Sequence, residues 1–364
     1  MQATGDPNAV FPSSQINTAI LLATLPNLST PHFLAPVIAS ATTSTRKRLI
    51  IVLFSRHFNV HYPRKFKKTQ ITLTFPENQA LSHTKSWDAV QRILTFTYVQ
   101  ATKIAHEMNK VLMDIDVLVT GLNEDLNEHL GTGVDICFRV SGDAIAVPLP
   151  ESITSLRQSY LPPGDRDPES KFMTAPGTPS PSESPLPSVY PVSVLGGTFD
   201  HLHAGHKILL SMAAYITSRK LIVGITDDVL LKNKSNQHVL ENLSLRTERV
   251  RNFLTLIKPE IHPDIVPIRD IYGPTAWDPD IQALVVSKET LSGAEAIAKY
   301  REEHNLPALQ TFLIDVISST ASSLDHEDAE WLKKHKLSST YIRQWIVDHN
   351  KEEEEEAEEE NLTS

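Results

Sequence analysis

A glycine turn set between a strand and a helix constrains this chain more than any other segment. Residues 196 to 207 read Gly-Gly-Thr-Phe-Asp-His-Leu-His-Ala-Gly-His-Lys, after the apolar run Val192 to Leu195 and before the helix-like stretch Ile208 to Tyr215. Glycines after a strand allow a tight turn, and the helix that follows presents free backbone N–H groups and the positive end of its dipole. An anion is the natural occupant of such a turn.

The histidines narrow the chemistry. Gly196 and Gly197 shape the turn and Thr198 adds a hydroxyl, while Gly205 permits a close backbone approach. His206, near the helix start, can donate to a nucleotide α-phosphate as charge grows there, and His203 can reach the same phosphates. Transfer of a nucleotidyl group also needs a cation beside the reacting phosphates. Lys232 follows the next strand at the same edge and is the candidate, with Lys234 an equal fit because loop spacing does not fix direction. Further on, Ser338, Ser339 and Thr340 precede a helix and Arg343 lies in its first turn. That arrangement suits an N-cap, and it equally offers hydroxyls, free N–H groups and a guanidinium to a triphosphate. Arg249 opens another helix, and facing the nucleotide or pairing with a neighbouring acid are equal readings. Residues 270 to 274 and 285 to 290 end at strand edges, where they would shape the pocket for a second substrate. No Gly-x-x-x-x-Gly-Lys-Ser/Thr segment and no Gly-x-Ser-x-Gly elbow occurs, which excludes a P-loop kinase and a serine hydrolase of that type.

The 364 residues suffice for two domains, and a 40% hydrophobic, 21% charged composition is that of a globular protein. The net charge of −10 argues against nucleic acid as a partner, and eight glutamates between Glu352 and Glu360 carry most of it. A single cysteine, Cys137, leaves no internal disulfide and no thiolate cluster for zinc, so a reducing, cytoplasmic setting is expected. Pro26, Pro31 and Pro36 interrupt the apolar patches near the N-terminus, so no membrane span is expected. The first basic residue is Arg46, late for a targeting signal.

Composition divides the chain. Residues 1–45 read as a flexible N-terminus, 46–155 as an α/β domain of unknown role, 156–191 as a Pro/Ser-rich linker, 192–349 as a nucleotidyltransferase domain and 350–364 as an acidic disordered tail. Within the first domain, 49–54, 69–75, 115–120 and 134–140 read as strands, the last paired with 144–147 across Ser141, Gly142 and Asp143. Trp87, Val90, Leu94, Tyr98, Ala101, Ile104 and Met108 fall at helical spacing. The basic clusters at 46–48 and 64–68 read as solvated strand flanks, and no internal repeat is visible. In the second domain strands at 192–195, 220–225, 265–268, 283–287 and 309–316 alternate with helices at 205–217, 245–257, 290–303 and 340–348. The expected class is α/β: a Rossmann-like parallel sheet preceded by a smaller α/β domain, with ligands at the carboxyl ends of the strands.

Residues 196–207, 230–234, 247–250, 272–274, 285–290 and 338–343 together resemble the eukaryotic, fungal-type phosphopantetheine adenylyltransferases of the HxGH nucleotidyltransferase superfamily, over residues 192 to about 348. The resemblance implies adenylyl transfer from ATP to 4′-phosphopantetheine in coenzyme A biosynthesis, giving dephospho-coenzyme A and pyrophosphate, with magnesium bound with ATP. It implies that Thr198 holds the attacking phosphate and Lys232 orients it. His206 stabilises the pentavalent α-phosphate, and Ser338, Ser339, Thr340 and Arg343 hold the ATP phosphates. Association with other enzymes of the same pathway is a further expectation. Ser287-Lys288-Glu289 stands where bacterial relatives carry arginines, and the Glu-rich end replaces a kinase found in animal relatives, so the final kinase step is expected on another protein. Nicotinamide mononucleotide is the rival acceptor, because related adenylyltransferases carry a similar hydroxyl-rich segment. An inactive nucleotide-binding scaffold is the alternative of another class.

Overall fold

The order of the strands repeats. In the computed structural model, which describes residues 16–59, 82–165, 186–315, 331 and 338–363, two five-stranded parallel sheets follow one another along the chain. The first contains β1 (Ile16–Thr24), β2 (Thr45–Ser55), β3 (Asp114–Gly121), β4 (Ile136–Val140) and β5 (Gln158–Leu161), in the order β3-β2-β1-β4-β5. The second contains β6 (Tyr190–Gly197), β7 (Thr217–Thr226), β8 (His262–Ile268), β9 (Ala283–Ser287) and β10 (Gln310–Ile314), in the order β10-β9-β6-β7-β8. Read from its opposite edge, the second order is that of the first. A doubly wound topology is therefore built twice, although no repeat shows in the residues.

The helices are α1 (Ala35–Ser44), α2 (Trp87–Glu107), α3 (Glu151–Thr154), α4 (Ala204–Ile216), α5 (Leu243–Ile257), α6 (Leu291–Glu303) and α7 (Ser339–Thr363). All the strands and helices expected of the second domain form, with ends shifted by a few residues, apart from the last helix, which is much longer. Four expectations need correction. Residues 16–44, expected to be part of a flexible terminus, supply β1 and α1, and β1 is the central strand of its sheet. Ala19 to Ala23 are fully buried. A strand covered on both faces reads as an unbroken apolar run, without the alternation that marks a half-exposed one. The expected hairpin at Ser141 also does not form, because β4 pairs in parallel with β1 and β5 and has no free edge left. Gly142, at φ +77°, turns the chain away, and Thr24 N donates to Asp143 Oδ2 at 2.7 Å instead. The stretch assigned to a linker contains β5, so the first domain runs to Leu161, while residues 166–185 lie outside the described residues, as does the strand expected at 69–75. Finally, the acidic tail continues α7 to Thr363. Glutamate is a good helix former, and the nucleus is already provided at Ser338.

The two sheets share one apolar core. The apolar spacing of α2 buries Trp87, Val90, Ile93, Leu94, Tyr98 and Ala101, and this surface packs on Ile208, Met212 and neighbours from α4 in a single cluster. Trp87 meets the Phe312 ring at 4.9 Å, His83 stacks on Tyr215 at 4.2 Å, and the Ser86 and Tyr215 hydroxyls lie 2.8 Å apart. Each large apolar side chain buried here contributes about 1.5–3 kcal/mol. The seam between the domains is thus interior rather than surface. No described helix is long and apolar enough to cross a membrane.

Candidate functional site

β6 delivers the chain to the carboxyl edge of the second sheet, and the turn that follows is bent by two residues in left-handed conformations, Phe199 at φ 53° and His201 at φ 44°. Gly197 is small for a reason: a Cβ there would lie 3.1 Å from the Phe199 ring. His203 is the N-cap of α4, in extended conformation, and its side chain makes no capping bond. The amides of the first turn, Gly205 and His206 among them, are therefore left for an outside acceptor.

The His203 and His206 rings stack at 3.9 Å, and the Nδ1 atoms of both are sealed from solvent with no hydrogen-bond partner. Desolvation holds the His206 pKa down at about 4, against a smaller opposing pull from the Asp200 charge. Desolvation, together with charge from His206, His201 and Lys207, holds His203 well below the usual imidazole range. Both rings are neutral near pH 7, and a neutral imidazole keeps one N–H to donate. An anion placed against them would stabilise the charged form of each ring.

Asp200 joins this turn to the end of the chain. Its carboxylate receives Arg343 Nη1 at 2.5 Å and Glu241 N at 2.9 Å, and its carbonyl receives the Ser339 hydroxyl at 2.7 Å. Arg343 also donates to the Ser235 carbonyl at 2.9 Å and to the Thr340 hydroxyl at 3.3 Å. The Ser338 hydroxyl accepts from Tyr341 N at 3.4 Å, as an N-cap does. Arg343 is thus an internal tie in this structure, and the hydroxyls of Ser338 and Ser339 are drawn in beside the histidine turn. Of the two readings for Arg249, the acid is present: its guanidinium lies 2.8 Å from Glu241 Oε1 and is half exposed.

His203, Arg249 and Ser338 line one cavity of about 330 Å³ together with Lys207, and the first domain closes it with His106 and Asp114. Gly196, Gly197 and Thr198 are half-buried at the end of β6. Lys232 and Lys234 stand exposed in the turns after β7, and the chain there gives neither the advantage. Lys288 lies 3.5 Å from Asp315, at the position where a pyrophosphate contact was in question.

Arg246, like Asp200, is a residue that spacing alone did not single out. Fully buried, it donates to the carbonyls of Thr198 at 2.6 Å, Thr226 at 2.9 Å and Glu241 at 3.0 Å, and to the Asp228 carboxylate at 2.6 Å. It thereby ties the β6 turn to the β7 turn. Arg246 and Arg249 are one helical turn apart and share a face, so nothing in the spacing told the inward guanidinium from the outward one.

A family profile described as cytidylyltransferase-like matches residues 194–345, which run from β6 into α7 and hold the histidine turn, Arg246, Arg249 and the hydroxyl-rich start of α7. The phosphopantetheine adenylyltransferase of Saccharomyces cerevisiae is 44% identical over 155 residues, 43% of this chain and 48% of the yeast protein. An uncharacterized protein of Schizosaccharomyces pombe is 44% identical over 156 residues, again 48% of its length. The phosphopantetheine adenylyltransferase of Pyrobaculum aerophilum is 37% identical over 150 residues, and here 88% of the relative is covered. The chain belongs to the phosphopantetheine adenylyltransferase family. It spans about half the length of the two yeast relatives it matches. Asp200, His203 and His206 follow the carboxyl end of β6, the edge at which ligands of doubly wound folds bind.

Proposed function

We propose that this protein transfers the adenylyl group of ATP to 4′-phosphopantetheine, releasing pyrophosphate and forming dephospho-coenzyme A. The observation that carries the reading is the junction at Asp200, which seats the hydroxyl-rich start of α7 against the histidine turn. Two phosphate-binding segments, far apart in sequence, share one edge.

In this reading an oxygen of the phosphopantetheine phosphate attacks the α-phosphorus of ATP in line. The bond from that phosphorus to the α,β-bridging oxygen breaks, and pyrophosphate leaves with the electron pair. Thr198 and Lys232 hold and orient the acceptor phosphate, with Lys234 the alternative lysine. His206 donates to the α-phosphate as charge builds on it, His203 assists from the stacked ring, and the first-turn amides of α4 and the Ser338, Ser339 and Thr340 hydroxyls hold the triphosphate. The site positions and neutralises, so no covalent intermediate is needed. Magnesium, arriving with ATP, would neutralise part of the charge of its phosphates. Among the described residues no group of three or more His, Cys, Asp or Glu is placed to hold a metal. Cytoplasmic location and contact with other enzymes of the pathway belong to the same proposal.

The test is an acceptor screen with the purified full chain, magnesium and ATP. Pyrophosphate release with 4′-phosphopantetheine, absent with nicotinamide mononucleotide, is the expected result. Release with the nicotinamide nucleotide alone would reject the assignment.

A further inference from the structure

The first sheet has no part in the chemistry above, yet one of its strands reaches the helix that carries His206. Asp114 and Asp116 lie two positions apart on β3 and so face the same way. Between them they hold Lys207: its ammonium is 2.7 Å from Asp116 Oδ1 and 2.8 Å from the Ile115 carbonyl, and in contact with the Asp114 carboxylate. Three acceptors from three consecutive residues satisfy the three donors of an ammonium. Lys207 is 3% exposed and directly follows His206 in the first turn of α4. Arg48 on β2 braces the acids from behind, 2.7 Å from Asp116 and 3.5 Å from Asp114.

A buried cation in the first turn of a helix opposes the dipole and is costly to desolvate unless its charge is matched. The match comes entirely from the other domain. Burial by itself would neutralise Lys207, but the charges of Asp116 and Asp114 outweigh it and raise its pKa. Burial likewise works to raise Asp116, and Lys207 with Arg48 more than offsets it, holding that carboxyl below the usual range. Lys207 and Asp116 are both ionised at neutral pH.

We propose that Asp114 and Asp116 are positioning residues for the adenylyl transfer: by gripping Lys207 they fix the first turn of α4, and with it His206, against the nucleotide phosphates. The first domain is then a second copy of the fold that has kept no glycine turn, with Leu25-Pro26-Asn27 after β1, and acts on the reaction through the neighbouring helix. This inference rests on the proposed reaction.

The test uses the full chain. Asp116→Asn keeps the shape and removes the charge. It is expected to lower kcat about tenfold, since small misplacements of a donor cost that much or more, with the KM for 4′-phosphopantetheine within about twofold. In a His206→Ala background the same substitution is expected to change kcat less than about twofold, because the two act through one donor. An unchanged kcat in the otherwise native chain overturns the proposal. An equal loss in both backgrounds also overturns it, since that is the mark of general destabilisation. Asp114→Asn, on the more exposed side of the clamp, serves if Asp116→Asn does not fold. Should the native chain bind ATP in calorimetry but fail to adenylylate 4′-phosphopantetheine, the functional reading fails. The clamp is then read from amide exchange in the first turns of α4, where faster exchange at Lys207 and Ile208 in the variant with β7 unchanged supports it and no change overturns it.

Discussion

Arg343 and Asp200, 143 positions apart in sequence, form an ion pair at 2.5 Å with both side chains all but sealed from water. The pair ties the start of α7 to the turn after β6. Removing one partner leaves the other charged and buried, which typically costs about 3–5 kcal/mol. Asp200→Asn is therefore expected to lower the urea midpoint by an amount equivalent to about 3 kcal/mol or more and to abolish turnover, with the denaturation slope unchanged. A midpoint equal to the native one would show that the pair does not hold the two segments together.

The role proposed for His206 is narrower. His206→Ala is expected to reduce kcat by on the order of 100-fold or more, as loss of a transition-state donor does, with ATP affinity changed by less than about threefold in calorimetry. Unchanged turnover would remove His206 from the mechanism.

The two loop lysines are separable by kinetics. If Lys232 orients the acceptor, Lys232→Ala raises the KM for 4′-phosphopantetheine about tenfold or more, while Lys234→Ala shifts it less than about twofold. The reverse pattern would transfer the role to Lys234.

The buried imidazoles set a pH dependence with a definite sign. Desolvation places the folded pKa of His206 at about 4, below its ordinary value of 6.5, so the fold favours the neutral ring. Its contribution is complete above pH 6.5 and is lost progressively as the pH falls from there toward 4, to a total on the order of 3 kcal/mol. His203, also depressed, adds to the same trend. Urea midpoints measured at several pH values without ligand should fall over that window, and His206→Asn should flatten the curve. Equal slopes for the two proteins would place the titrating group elsewhere.

A chain beginning near Pro191 tests the seam. It uncovers the side of α4 that α2 covers, together with Tyr215 and Phe312, and leaves Lys207 without its carboxylates. The expected product aggregates or binds a hydrophobic dye strongly, and has little activity. A monodisperse, fully active fragment would show that the first domain is dispensable.

The second sheet and the histidine turn were legible because β6, β7 and β9 are each followed by a helix of ordinary length and because glycine, histidine and serine mark the turns. The first sheet was half legible. β2 and β3 are short apolar runs without nearby prolines and α2 carries helical spacing, but β1 is an apolar run flanked by prolines, and its central place in the sheet comes from pairing with β2 and β4, which lie downstream in the sequence. The repeat of strand order was invisible for a related reason: topology is kept by burial pattern, which many sequences satisfy, whereas the glycine turn that would advertise it is present in only one copy. At the site, Arg246, Asp200 and Lys207 escaped notice because a charged side chain drawn inward looks, in sequence, like any other on a helix or turn. Their partners are distant, and only folding brings the counter-charges to them.

The apolar cluster that runs from the first sheet through α2 and α4 to the second leaves no plane along which the molecule could come apart in stages. Heating should melt both halves in a single endotherm, and a nucleotide bound over α4 should slow amide exchange in β1 and β2 as well as in β6, since whatever holds one half closed holds the other.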